Sequence, residues 1–198
     1  MIPPHMNPFG ELAGSMSRSV RCAASTFTQI VSEQVGMSVS HVELADRARL
    51  DHCLAGLDGC LCGIAQRMRT ADGASAEAML VLPQIGGLLL VRRMLGLPGD
   101  AGDLSELEQD ALAEVGNIVI DACSSVLAGS LGWHIEAAQP RVTLSVPDRL
   151  FGVGDTLRSS LVTHLRMHLS DLRVDGLVVL EISGAAGLSM LPPKRLDA

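Results

Sequence analysis

The sequence predicts an α+β fold of two pseudo-symmetric, duplicated half-domains, with long helices packed on a mainly antiparallel sheet. Three observations carry this reading. A helix-length segment occurs twice, at about residues 11–34 and 105–131, and short strand-like stretches follow each copy. Aligning helix with helix and last strand with last strand gives a period of roughly 96 to 98 residues. A single repeat that long marks a doubled half-domain, because solenoid units run to only about 20–50 residues. Finally, Leu161, Thr163, Leu165, Met167 and Leu169 alternate along one stretch, so one strand face is buried and needs helix cover. Two such halves side by side would give one continuous sheet under a helical layer.

The elements follow in order. Residues 1–10 (MIPPHMNPFG) read as a loose arm. After the first helix, apolar stretches at 37–44 and 60–68 suit strands, and Ala78-Met79-Leu80-Val81-Leu82 is a compact strand ended by Pro83. A helix from about Gln84 to Leu95 closes this half, stopped by Gly96 and Pro98. The second half repeats the plan. Its helix at 105–131 leads to a strand around 134–146, which turns back through Gly152-Val153-Gly154-Asp155. Strands through 157–169 and 177–182 complete it. The organisation is a single domain over 11–185, with half-repeats at about 11–97 and 103–183 and a tail at 186–198.

Composition removes several functions. At 198 residues and 47% hydrophobic content the chain can bury a sizeable core. A net charge of −7 argues against nucleic acid, whose affinity rests on Lys and Arg neutralising phosphates. No Tyr, three Phe and one Trp leave no aromatic platform for bases. The most apolar stretch, Ala78 to Leu97, is broken by Pro83, Gly86, Gly87, Arg92 and Arg93, so no membrane span is expected. The N-terminus lacks a basic region followed by an apolar core, so no secretory signal is read. Cys22, Cys53, Cys60, Cys62 and Cys123 show neither disulfide-framework nor zinc spacing. Cys60 and Cys62 fall on one side of an expected strand, a placement open to redox activity or to burial, with small buried thiols the commoner case. A reducing cytoplasm fits them.

The second long helix carries the chemistry. Ser105-Glu106-Leu107-Glu108 is a capping box, which fixes its start. At about 100° per residue, Asp110, Glu114, Asn117, Asp121 and Ser124 fall within an arc of roughly 80°. Leu112, Val115, Val119, Ala122, Cys123 and Val126 cluster opposite, so the polar stripe faces solvent. Periodicity alone makes this a solvated helix face.

The wider pattern says more. Asp110, three residues, Glu114, two residues, Asn117, then 22 residues and Pro140 resembles the signature of the CheC, CheX and FliY family of response-regulator phosphatases. The flanks Leu104-Ser105-Glu106-Leu107-Glu108 and Gln139-Pro140-Arg141-Val142 are similar to the family too, as are the MLVLP strand and the GGLLLVRRMLG helix. The likeness is strong from about Ala78 to Val142 and looser over Glu11 to Ile182.

The resemblance implies a cytoplasmic phosphatase acting on the aspartyl phosphate of a CheY-like regulator, which brings its own Mg²⁺. Asn117 would orient the attacking water and Glu114 would pair with the regulator's lysine. An acyl phosphate is already activated, so positioning is the main task left to the catalyst. Asp110 and Pro140 are supporting motif members; Asp121 and Ser124 extend the stripe as a partner-docking surface. No intrinsic cofactor or metal is implied. Two alternatives travel with the resemblance: a non-catalytic module that binds a regulator or the deamidase CheD, and a flagellar-switch component like the FliM middle domain. For the last, little chain remains after Ile182 for the additional C-terminal domain of FliM or FliY. Monomer and homodimer both stay open.

The chain departs from the family in its first helix. Many CheC-like proteins carry the motif in both halves, but a period of 96 puts Arg18 and Arg21 at the Glu114 and Asn117 positions. A shift of two puts Met16 and Ser19 there. One site per chain is therefore expected, with Arg18 and Arg21 on an exposed basic face. Other features lead nowhere by sequence. His164 and His168 lie in a strand, roughly 13 Å apart, too far to share a metal. Asp51-His52-Cys53 are adjacent and form no nucleophile–base array. Gly86-Gly87 and Gly152-Val153-Gly154 lack the context of a phosphate loop.

Overall fold

In the computed structural model, residues 9–30, 33–57, 59–70, 75–99, 104–151 and 159–183 are described. The first half contains α1 (Gly10–Ile30), β1 (Val35–Ala45), α2 (Arg47–Ala55), β2 (Leu61–Thr70), β3 (Ser75–Pro83) and α3 (Gln84–Met94). The second contains α4 (Glu106–Leu131), β4 (Ile135–Ala137), β5 (Arg141–Ser145), α5 (Pro147–Leu150), β6 (Ser160–Leu169) and β7 (Leu172–Ser183). The fold is α+β, and every described strand pair is antiparallel.

The halves are not laid side by side as the sequence suggested. The sheet runs β1-β6-β7-β3-β2, with β4 and β5 both on the far edge of β2. Each half's first long strand therefore crosses over and pairs with the other half's hairpin: β1 with β6, and β5 with β2. The exchange covers a hairpin edge that would otherwise stand unpaired. The symmetry can be read residue by residue. Ser160 faces Ala45 where β6 meets β1, as Leu61 faces Ser145 where β2 meets β5. Counting on from there, Thr163 is the counterpart of Ile64, and Leu165 that of Gln66.

One sheet face is covered by α1, α3 and α4. Met16 and Val20 of α1, with Leu112, Val115 and Val119 of α4, pack on Ile64, Leu80, Leu161 and Leu165. By length and apolar content α4 could cross a membrane, but its apolar side is spent on this core. The other face has a smaller cover, where Leu50 and Leu54 of α2 pack on Leu61, Val81, Val162 and Val179.

Several expectations need correction. Between the strands expected at 37–44 and 60–68 lies an unexpected helix, α2, whose start is set by Asp46; the Asp46 side chain accepts from the Arg49 N–H. The short α5 was also missed. Helix α1 ends at Ile30, before Gln34. The strand expected at 134–146 is two short strands, parted at Ala138-Gln139-Pro140. Strand β2 begins after Cys60, which is exposed, whereas Cys62 is buried. The two thiols share no strand face, and burial pushes Cys62 up to about 12. The Gly152–Asp155 turn, residues 1–8 of the arm and the 186–198 tail lie outside the described residues.

Candidate functional site

Helix α4 is fixed first at its N-terminus. Ser105 Oγ accepts from the Glu108 N–H at 3.3 Å, and the Glu108 carboxylate accepts from the Ser105 N–H at 2.7 Å. This is the capping box the sequence predicted. The same carboxylate pairs with Arg92 of α3, and both side chains are buried. The Ser105 hydroxyl, then its backbone N–H, then Arg92 hold the Glu108 carboxyl down at about 2. Arg92 also donates to the Gly99 carbonyl at 3.1 Å. The helix is thus pinned one turn before the stripe begins.

Gly116 fixes the middle. A Cβ built on it would lie 2.2 Å from Ile64 Cγ2 and 2.8 Å from Ile64 Cβ. Only glycine lets α4 settle this closely on β2, and it does so between Glu114 and Asn117. Spacing alone does not single Gly116 out, beyond its place between the two motif residues.

Asn117 is half-buried and held from below. Gln66 of β2, 2% exposed, donates from Nε2 to Asn117 Oδ1 and to the Ala138 carbonyl, each at 3.0 Å. Ala138 is itself tied to β2, its N–H donating to the Arg67 carbonyl at 2.8 Å. Gln66 thereby joins the motif helix to the loop that carries Pro140. Pro140 stands where the sheet edge breaks between β4 and β5, a place that tolerates a missing N–H. With Oδ1 accepting from Gln66, the oxygen is the side of the Asn117 amide turned to β2, which sets its flip state. Among the described residues, Gln66 Oε1 is buried without a hydrogen-bond partner. Keeping such an atom costs roughly 1–3 kcal/mol.

Glu114 is exposed one turn before Asn117, and Asp110 and Asp121 are exposed on the same side. Leu107, 56% exposed, lies two turns before Glu114 on that side. Ser124 departs from expectation. It is 6% exposed, lies near Met16 of α1, and its hydroxyl donates to the Asp121 carbonyl at 3.4 Å. Its helical angle matches the stripe, but α1 covers that flank, so Ser124 belongs to the core and cannot dock a partner.

In the first half, Arg18 and Arg21 are exposed, as expected. Arg18 donates to Ser15 Oγ at 2.9 Å and Arg21 to the Ser17 carbonyl at 3.2 Å. Beneath α1 the strand offers Leu165, buried and apolar, in place of Gln66.

A duplicated half-domain with exchanged strands and a capped helix over the sheet defines the class: this is the CheC/CheX/FliY fold. The chain is similar to Thermotoga maritima FliY at 16% identity over 93% of each chain, with a TM-score of 0.65. It is similar to the FliM middle domain from H. pylori at 12% identity, covering 90% of this chain and 94% of that one, with a TM-score of 0.66. For CheX from Vibrio vulnificus the identity is 15%, the coverage 88% and 100%, and the TM-score 0.57. No protein-family profile matches the sequence.

Proposed function

We propose that this chain is a cytoplasmic phosphatase that hydrolyses the aspartyl phosphate of a CheY-like response regulator. The observation that carries this reading is the Asn117 amide, fixed by the buried Gln66 at 3.0 Å, with the exposed Glu114 one turn away. Asn117 orients a water in line with the phosphorus. Attack forms the new P–O bond and breaks the one to the aspartyl oxygen, which leaves as a carboxylate, and inorganic phosphate departs. An amide can hold that water without bringing a negative charge toward the phosphoryl oxygens. Glu114 takes the regulator's active-site lysine, which sets the register of the two proteins. Asp110 and Asp121 extend the acidic side of the contact, and Leu107 supplies an apolar foothold among them. Mg²⁺ belongs to the regulator, where it neutralises charge on the transferring group.

The test is the decay of phosphorylated CheY-like regulators with wild type, Glu114→Ala and Asn117→Ala. Positioned groups of this kind contribute about 10²- to 10³-fold in rate, so both variants should lose most of the acceleration. Equal decay with all three proteins would overturn the proposal. The likeness to the FliM middle domain at a TM-score of 0.66 favours a second reading, a binding module of the flagellar or chemotaxis kind. Calorimetry separates the two: tight binding to a regulator, or to CheD, without turnover selects the second.

A further inference from the structure

The sheet face opposite α4 carries a cluster that the sequence did not connect. Glu43 of β1, Cys53 of α2 and His164 of β6 come from three elements, and their ligand atoms all lie within 4.8 Å of one another. Glu43 Oε1 is 3.0 Å from His164 Nε2 and 3.6 Å from Cys53 Sγ, and Sγ is 4.0 Å from Nε2. We propose that Glu43, Cys53 and His164 form a binding site for a zinc-class divalent cation.

The geometry suits such an ion. Zn–S of about 2.3 Å and Zn–N and Zn–O of about 2.0–2.2 Å in a tetrahedron put ligand atoms roughly 3.3–3.7 Å apart. The three observed separations bracket that range, so shifts of a few tenths of an ångström complete the site. The donor set narrows the ion. Thiolate with imidazole and carboxylate is a borderline-soft set that suits zinc, whereas Mg²⁺ and Ca²⁺ take oxygen ligands. A nucleophile–base–acid relay does not fit, because the same His164 nitrogen faces both the thiol and the carboxylate.

The surroundings are those of a metal site. Arg49 donates from Nε to Glu43 Oε2 at 2.8 Å and from an NH₂ to Oε1 at 3.0 Å. On binding, Oε1 would exchange its bond from Arg49 Nη2 for the cation while Arg49 Nε keeps Oε2 and the carboxylate's orientation, as ligating carboxylates are usually hydrogen-bonded in turn. His41 faces His164 across the strand pair, just past the bulge between Val39 and His41. Its Nε2 is 3.9 Å from Glu43 Oε1. An open cleft of about 360 Å³, lined in part by Ser40, His52, Cys53 and His164, gives a cation access. Bound there, the ion would clamp β1, β6 and α2 together.

The experiment uses the full chain, tag-free and stripped of metal, titrated with Co²⁺ as a spectroscopic probe and then with Zn²⁺ in competition. One equivalent of Co²⁺ should give a thiolate charge-transfer band that Zn²⁺ displaces. Cys53→Ser should lose the band, while Cys60→Ser, at an exposed cysteine, should keep it. Losing even a hydrogen-bond partner of a ligand costs about 10–100-fold in affinity, so Glu43→Gln and His164→Ala should each weaken Zn²⁺ binding at least tenfold. Circular dichroism of each variant checks the fold. Absence of the band in wild type, or its survival in Cys53→Ser, would overturn the proposal and leave the cluster a hydrogen-bonded ion pair.

Discussion

The two halves share a plan and differ at the same places. Under α4 the strand offers Gln66; under α1 its counterpart is Leu165. Gly116 of α4 lies on Ile64, whereas at the counterpart of Ile64 the Thr163 hydroxyl meets Met16 Sδ at 3.5 Å. On the other face the asymmetry reverses. Glu43, Cys53 and His164 gather beside β1, while the symmetry counterpart of His164 is Ala65. Each half has kept polar side chains on one face where the other carries apolar or small ones. A buried amide with an unpartnered oxygen is a standing cost, and among the described residues it occurs beneath the helix that presents Glu114 and Asn117. Polar groups in a core that do not improve packing point to what the site must hold in place.

Substitutions that make the halves alike test this contrast. The largest effect is expected from Asn117→Arg, which mimics α1: regulator dephosphorylation should fall about 10²-fold or more, with regulator-phosphate decay as the readout. Gly116→Ala comes next, since its Cβ must displace Ile64. A loss of roughly 1–3 kcal/mol is expected from denaturant midpoints, together with slower turnover. Gln66→Leu copies the strand beneath α1. It should slow dephosphorylation about tenfold or more with only a small change in melting temperature, because loss of the bonds to Asn117 and Ala138 offsets removal of the unpartnered Oε1. Activity kept intact in that variant would separate Gln66 from catalysis.

A smaller effect concerns pH. The Glu108 carboxyl sits at about 2 in the fold against an ordinary 4.5. Its stabilising contribution is therefore complete above about 4.5 and is lost as pH falls toward 2. Melting temperature against pH should show this slope, and Glu108→Gln should flatten it. Smallest of all, Arg18→Ala and Arg21→Ala should leave turnover unchanged, as exposed side chains of the half without a site.

What the sequence made legible was local. The Ser105 capping box, the alternation along β6 and the apolar side of α4 are written within a few residues of themselves. The duplication was legible because both copies retain that local writing. Strand exchange was not, because a strand's pattern states which face is buried and says nothing of which edge it joins. Gln66 lies 51 residues from Asn117 inside an apolar strand, so no spacing connects them. Ser124 has the right angle on α4, but burial depended on α1, a neighbour absent from a single-helix projection. His164 was compared with His168 four residues on, when its partners come from β1 and α2.

Strand exchange also governs how the chain can fold. Ser40 on β1 bonds the His164 carbonyl across 124 residues of chain, so that pairing closes late and at high contact order. In the full chain neither half fills its own hairpin edge; the other half lends the strand. Asn117 and the Gln66 that orients it also come from opposite halves. If the proposed reading holds, turnover is available only to a molecule whose two halves have already found each other, and activity would then report completed assembly during refolding.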